Sequence, residues 1–334
     1  MKTKWIFLIS MLVMVTGIFA QETIRIGIIG LDTSHSPSFV KAFNADKPKP
    51  EYAGFRVVAA YPYGSKTIKS SYDRIPKFTE EVQKFGVKIA VSIEELLKEV
   101  DCVMLETNDG NLHLEQAIQV FKAGKPVFID KPIGANLSQA IAIFAMAEKY
   151  KVPVFSSSSL RFSTVNQQLR KGEHGKVFGV DAYSPGMIEP SHSDLSWYGI
   201  HGVESLFTVL GTGCVSVQRV YTPDADLVTG IWADGRIGTF RGIRGGKHVY
   251  GGSAITEKGA MPAGVYQGFD VLLVQVVQFF KTGISPVSKE ETLEIFAFMD
   301  AADQSRRKGG KTILLKDVMS KASKEAEKLI RKIN

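Results

Sequence analysis

Between Ile24 and Phe155, short apolar runs alternate with longer segments in which apolar residues recur every three or four positions. The short runs are "IRIGIIG", "FRVVAAY", "VKIAV", "CVMLET", "PVFID" and "VPVFS". They are too short and too continuously apolar for surface helices and read as buried strands. The longer segments carry helix punctuation. Ser92 and Glu95 form a capping-box pattern before "ELLKEV", "LHLEQAIQVFKA" stops at Gly124, and "NLSQAIAIFAMAEKY" opens on polar cap residues. Strands alternating with helices predict a parallel sheet covered on both faces. From residue 156 the pattern changes to "KVFGVDAY", "VSVQRVY", "LVTGIWA", "IGTFRGI" and "KHVYGGSAI", strands spaced by glycine-rich turns. Two later helices, "FDVLLVQVVQFFKTG" and "EETLEIFAFMDAADQSRRKGG", either pack on that second sheet or return to the first domain. The fold class expected is an α/β Rossmann-like doubly wound parallel sheet over residues 21–155. An α+β C-terminal domain with an open, largely antiparallel sheet follows over 156–334.

The first 20 residues stand outside this pattern. Lys2 and Lys4 precede an apolar run from Trp5 to Val15, and Ala20 supplies a small residue before a polar start. This reads as a secretory signal peptide, shorter than the roughly 20 residues of a membrane span. The expectation is an exported, periplasmic or extracellular protein with no stable membrane insertion after cleavage. Losing the two leader lysines takes the formal charge from +7 to +5. The basic residues are dispersed rather than clustered among aromatics, so no nucleic-acid partner is expected. "KASKEAEKLIRKIN" reads as a solvated amphipathic helix. Cys102 and Cys214 lie in apolar strand contexts and read as two buried free thiols.

"RIGIIGLDTSHSPSF", residues 25–39, is where a strand runs into a dinucleotide-type turn. Such a turn needs three glycines: one to turn, one for close approach to pyrophosphate, one for helix packing. Gly30 fills the first place, but Asp32 and His35 stand at the second and third. A carboxylate facing phosphate charges ~4 Å away costs about 4 kcal/mol at an effective dielectric of ~20. Ser36 as cap and Pro37 at the first helical position predict a late helix start and a hydroxyl-rich loop. Two outcomes stay open: Thr33, Ser34 and Ser36 cradle a displaced phosphate while Asp32 caps the helix, or the phosphate site is lost. On the first, Asp32→Gly strengthens nucleotide binding. After the second strand no carboxylate awaits a ribose; Ser65 and Lys66 would tolerate a 2′-phosphate, so NAD and NADP both remain candidates.

A strand ending in Thr107, then His113, "AGKPV" at 123–127 and Asp130-Lys131-Pro132 follow at the spacing of the Gfo/Idh/MocA sugar and cyclitol dehydrogenases, which this chain resembles. "SSLRFSTVNQQLRKGEHGKVFGV" looks like that family's crossover into its second domain. The resemblance implies a bound nicotinamide nucleotide and a carbohydrate or cyclitol substrate between the domains. It implies Lys131 and His201 as catalytic, with Asp130 orienting Lys131. The family's acid four residues before His201 is here Trp197, leaving Tyr198, Asp194, His192 or Glu204 as substitutes in the proton relay. Gly30, Asp32, Thr33, Ser34, His35, Ser65, Thr107, His113 and Lys131 form the candidate cofactor set. His192 and Asp194 lack further ligands at recognisable spacing, so no metal centre is expected. The function expected is an exported oxidoreductase acting on a sugar, glycoside or polyol hydroxyl. Alternatives are a sugar lyase or hydrolase using retained NAD for transient oxidation, and a non-catalytic carbohydrate-binding protein without nucleotide. The exposed face of the C-terminal sheet is a candidate homo-oligomer surface.

Overall fold

The computed structural model describes residues 23–333, so the expected signal peptide lies outside the described residues. The first sheet comprises β1 (Ile24–Ile29), β2 (Phe55–Tyr61), β3 (Lys88–Ile89), β4 (Cys102–Leu105), β5 (Val127–Ile129) and β6 (Val154–Phe155). All pairings are parallel and the spatial order is β3-β2-β1-β4-β5-β6. Chain direction across the sheet reverses between β1 and β4, which opens a crevice at their carboxyl ends, where such sheets bind ligands. The helices of this half are α1 (His35–Asn44), α2 (Lys69–Tyr72), α3 (Ile75–Gln83), α4 (Ile93–Glu99), α5 (Gly110–Lys122) and α6 (Leu137–Tyr150).

Local signals act as expected at several helix ends. The Ser92 hydroxyl accepts the Glu95 N–H at 3.1 Å, and Asn136 accepts the Gln139 N–H at 3.1 Å. Gly124, with φ +68°, ends the α5 segment in a conformation that costs other residues. At α1 the expectation needs correction. The helix already starts at His35, and the Ser36 hydroxyl, inside it, donates to Gly30 O at 2.9 Å instead of capping.

After α7 (Thr164–Arg170), the second sheet comprises β7 (Val177–Pro185), β8 (Cys214–Tyr221), β9 (Ala225–Trp232), β10 (Ile237–Ile243), β11 (Gly251–Thr256), β12 (Gly259–Pro262) and β13 (Ile313–Leu314). Their order is β12-β11-β7-β10-β9-β8-β13, antiparallel except for the parallel β7–β10 pair. One face of this sheet carries α8 (Ile200–Leu210) and α10 (Lys289–Arg307). α9 (Asp270–Thr282) returns to the first domain, where Leu272, Val276 and Phe279 join the core built around Ile26, Phe39 and Phe155. α11 (Leu315–Ile333) buries Leu315, Val318, Ala322 and Ala326, one stripe of an otherwise solvated helix, against α6 and α10. Cys102 and Cys214 are free and buried; burial pushes the Cys214 thiol up to about 12, so both are inert.

Candidate active site

A cleft of about 280 Å³ lies between the domains, close to the lower bound of ~300 Å³ for small-molecule sites. Its first-domain wall is Thr33, Ser34 and His35 at the start of α1, Ser70 and Arg74 after β2, Asn108 after β4, and Lys131 after β5. The second domain contributes Tyr198, His201, Tyr250 and Tyr266. The topology explains much of the gathering: Thr33, Ser34 and His35 follow β1, Asn108 follows β4 and Lys131 follows β5, at carboxyl ends on either side of the β1/β4 reversal.

Lys131 is almost buried, with Nζ 3.7 Å from Asp130 Oδ2. The same Asp130 oxygen lies 2.8 Å from His35 Nδ1. Burial works to raise the Asp130 pKa, but the His35 and Lys131 charges outweigh it and hold the carboxyl well below the usual range. Beside it stands Glu106, fully buried at the end of β4, with neither carboxylate oxygen hydrogen-bonded. Burial first, and the Asp130 charge second, push Glu106 well above the ordinary carboxylate value. His35, Glu106 and Asp130 were not expected to act together; the structure brings one ligand atom of each within 4.8 Å of the others.

His201, in the first turn of α8, accepts or donates through Nδ1 to Ser158 Oγ at 2.7 Å, leaving Nε2 for a ligand. Burial, then the nearby Lys131 charge, lowers its pKa well below the usual value, so the ring is neutral at pH 7. Glu204 does not bond His201. Its oxygens take the Ser158 N–H at 2.7 Å, the Ser157 hydroxyl and Arg161 Nε at 2.7 Å, so Glu204 fixes the segment that holds His201. Two other relay candidates are elsewhere. Asp194 accepts from Arg219 and Arg306 in a buried ion network. His192 accepts the Gly110 N–H at 3.0 Å and meets Trp197 edge-on, 4.9 Å between ring centroids. Tyr198 does line the cleft, its ring 6.2 Å from that of His201.

Several candidate cofactor residues sit beneath the cleft rather than on it. Asp32 is fully buried and caps nothing on α1; Oδ2 accepts the Ser65 N–H at 3.1 Å and Oδ1 the Asn108 N–H at 3.0 Å. Burial raises its pKa to about 6 against the lowering by these two amides. Ser65 is buried and donates to Asp109 Oδ2 at 2.8 Å, so it does not face a ribose. His113 is enclosed between the carbonyls of Thr107 and Ile133, at 2.6 and 3.2 Å. Thr107 packs on Gly30, which has φ +99° and where a Cβ would stand 2.4 Å from Thr107 N. Glycine is therefore required there.

These positions test the fit to a nicotinamide nucleotide. Gly30 keeps the turn, and Asp32 turns its charge inward onto two amides, which removes the phosphate repulsion expected from the sequence. Gly64 lies against Asp32, a Cβ there falling 2.5 Å from Oδ2, so the usual track through position 32 is filled. On the cleft side, Thr33 and Ser34 before α1, Ser70 in α2 and Arg74 just after it present hydroxyls and a guanidinium, groups whose chemistry suits a phosphate.

Residues 24–158 match the family model described as an oxidoreductase family with an NAD-binding Rossmann fold. An uncharacterized oxidoreductase of Escherichia coli K12 is 23% identical over 134 residues, 36% of this chain. That match spans only 38% of the relative's length. Among solved structures, scyllo-inositol dehydrogenase from Lactobacillus casei with NAD(H) and scyllo-inositol superposes with TM-score 0.70 at 14% identity, covering 88% of this chain and 99% of that one. Myo-inositol dehydrogenase of the same organism, with NAD(H) and myo-inositol, gives 0.67 at 15% identity, covering 87% and 96%. At such identities the likeness is one of fold, and it extends over both domains.

Proposed function

Residues 24–158 belong to the Gfo/Idh/MocA oxidoreductases, and on that premise we propose that this protein is an exported NAD(P)-dependent oxidoreductase acting on a CH–OH group of a sugar or cyclitol. The observation that carries the proposal is the convergence of Lys131 and a neutral His201 on one interdomain cleft that also offers a phosphate-binding wall. Thr33, Ser34, Ser70 and Arg74 would hold the nucleotide's phosphates. Tyr61 and Tyr63, stacked 5.7 Å apart on a smaller cleft of about 160 Å³, offer an aromatic face to the adenine. A nicotinamide bound there would supply the acceptor for the hydride leaving the carbinol carbon. Oxidation also requires loss of the hydroxyl proton, and His201 Nε2 is a neutral acceptor for it, oriented through Ser158. The Lys131 ammonium, steadied by Asp130, donates to the substrate oxygen and stabilises developing negative charge. Tyr198, Tyr250 and Tyr266 form the second-domain wall against which a sugar ring packs.

The outer face of the second sheet exposes Phe178, Val220, Ile231, Ile237 and Ile255. Apolar side chains exposed on this sheet, interspersed with Thr229, Asp181 and Thr239, support pairing with a second copy of the chain. Export rests on the leader pattern of residues 1–20, and the intact mass of secreted protein checks it: the mature chain should begin near Gln21. Titration of NAD(H) and NADP(H) into purified protein, followed by turnover assays on inositols, glucosides and their keto forms, tests the function. Binding of one nucleotide with oxidation of a polyol supports it. Absence of binding at millimolar nucleotide, with none retained through purification, overturns it.

A further inference from the structure

We propose that His35, Glu106 and Asp130 form a binding site for one first-row divalent cation, such as Mn²⁺, Fe²⁺ or Zn²⁺, at the base of the interdomain cleft. Three observations converge. Their ligand atoms come within 4.8 Å of one another. Glu106 is completely buried, yet both its oxygens lack any hydrogen-bond partner, and Asp130 Oδ1 lacks one too. A buried polar group without a partner costs about 1–3 kcal/mol, more when charged, and such groups are rare in folded proteins. Unpartnered carboxyl oxygens buried beside one imidazole make a donor set that a cation would satisfy.

The internal alternatives are insufficient. Lys131 reaches one oxygen of Asp130, at 3.7 Å, and His35 engages that same oxygen. Neither satisfies Glu106. A cation held at roughly 2.0–2.2 Å from each ligand places ligand atoms roughly 3–3.5 Å apart. Small rotations of the two carboxylates close the distance from 4.8 Å. Imidazole coordinates as the neutral base. One imidazole with two carboxylates is a borderline-to-hard donor set that suits these metals better than Mg²⁺ or Ca²⁺, which take oxygen ligands. Three protein ligands leave coordination positions open, as in catalytic rather than structural sites. His35 and Lys131 both line the cleft, which sets the proposed site beside the place where a substrate hydroxyl or carbonyl oxygen would sit.

Position supports the same conclusion. His35 stands where a dinucleotide turn carries its third glycine, a place that ordinarily admits no side chain at all. Here the imidazole is directed to Asp130 and packs edge-on against Phe269, 4.6 Å between centroids.

The test uses the full mature chain, stripped with a chelator and free of nucleotide and substrate, so it stands apart from the oxidoreductase proposal. Mn²⁺ is titrated and followed by loss of the free-ion EPR signal, and Zn²⁺ by calorimetry. The expected result is one equivalent per chain, bound at micromolar concentration or tighter, with a rise in melting temperature. Glu106→Gln should weaken binding at least tenfold and abolish the metal-induced rise. It should melt no lower than the stripped parent, because it removes a buried uncompensated acid. His35→Ala provides a second variant with the same expected loss of affinity. No stoichiometric binding below a millimolar, or full binding retained by both variants, overturns the proposal.

Discussion

His35 Nδ1 lies 2.8 Å from Asp130 Oδ2, joining the start of α1 to the end of β5 beneath the cleft. The same carboxylate faces the ammonium of Lys131. Asp130→Asn should therefore leave a nearly buried cation without its counter-charge, a loss of about 3 kcal/mol or more where a buried pair is broken. Denaturant unfolding at pH 7 measures it; a change below about 1 kcal/mol would show that Lys131 finds other compensation. The sign with pH follows from a depressed carboxylate. Its contribution is present above the unfolded value near 3.8 and is lost as pH falls below that toward the lower folded value.

Asp32 behaves in the opposite sense. Its folded pKa is raised from 3.8 to about 6, so the native state holds the proton more tightly than the unfolded chain. Stability from this group is fully present below pH 3.8 and is lost as pH rises toward 6, by about 3 kcal/mol in all. Asp32→Asn should flatten that part of the stability profile, read by denaturant midpoints at pH 4, 5, 6 and 7. Equal slopes for parent and variant would place the titration elsewhere.

Asp32→Gly follows from the same geometry, with an outcome the sequence did not suggest. Removing the side chain strands the Ser65 and Asn108 amides, each worth about 1–3 kcal/mol when buried without a partner. The variant should lose stability and should not gain nucleotide affinity, since no phosphate repulsion remains to relieve. Tighter binding of NAD or NADP by the variant would restore the direct track through position 32.

What the sequence made legible is what local chemistry decides. Ser92, Asn136 and Gly124 act within a few residues of themselves, and the β-α alternation is a periodicity, so the sheet, its helices and the carboxyl-end crevice followed. β12, β13 and α2 are two to four residues long and carry too few positions for any period to show. The site was half legible. Lys131, His201, Tyr198, Thr33 and Ser34 do share one cleft, because each follows a strand or helix end that the topology brings there. Glu106 carries no functional signal in the sequence, because a glutamate closing "CVMLET" looks like the polar end of a strand. Its meaning depends on His35 and Asp130, which only the parallel order of β1, β4 and β5 sets beside it. Ser65 and His113 misled for a related reason: both are polar in sequence, but their partners are interior backbone and carboxylate groups.

Ser158 is a positioning residue in this arrangement, holding Nδ1 of His201 at 2.7 Å while Glu204 holds the Ser158 amide. Ser158→Ala should lower kcat by roughly 10- to 100-fold with KM nearly unchanged, because misplacement of a base by about 1 Å carries a cost of that order. Ser158→Thr, which keeps the hydroxyl, should recover part of the rate. A shift in KM alone, or no rescue by threonine, would show that the hydroxyl serves the fold rather than the base.

Lys131 and His201 bear the last prediction jointly. Lys131→Ala or His201→Ala should preserve folding and nucleotide binding while lowering turnover by ~10²- to 10⁴-fold, the range that a positioned acid or base contributes. Because one group receives the proton and the other steadies the same oxygen, the double variant should fall much less than the product of the two single effects. Lys131→Arg should not recover the rate: the guanidinium is larger, planar and always charged, and it would have to fit the nearly buried place of a compact ammonium beside Asp130. The pH profile separates the partners. His201 is held neutral well below its ordinary pKa, so the parent should keep its activity into acid solution, losing it only as the ring protonates, and His201→Ala should lose that acid limb. Full turnover by Lys131→Ala on a polyol that the parent oxidises would remove the lysine from the reaction and leave the cation site at His35, Glu106 and Asp130 as the remaining source of charge at the substrate oxygen.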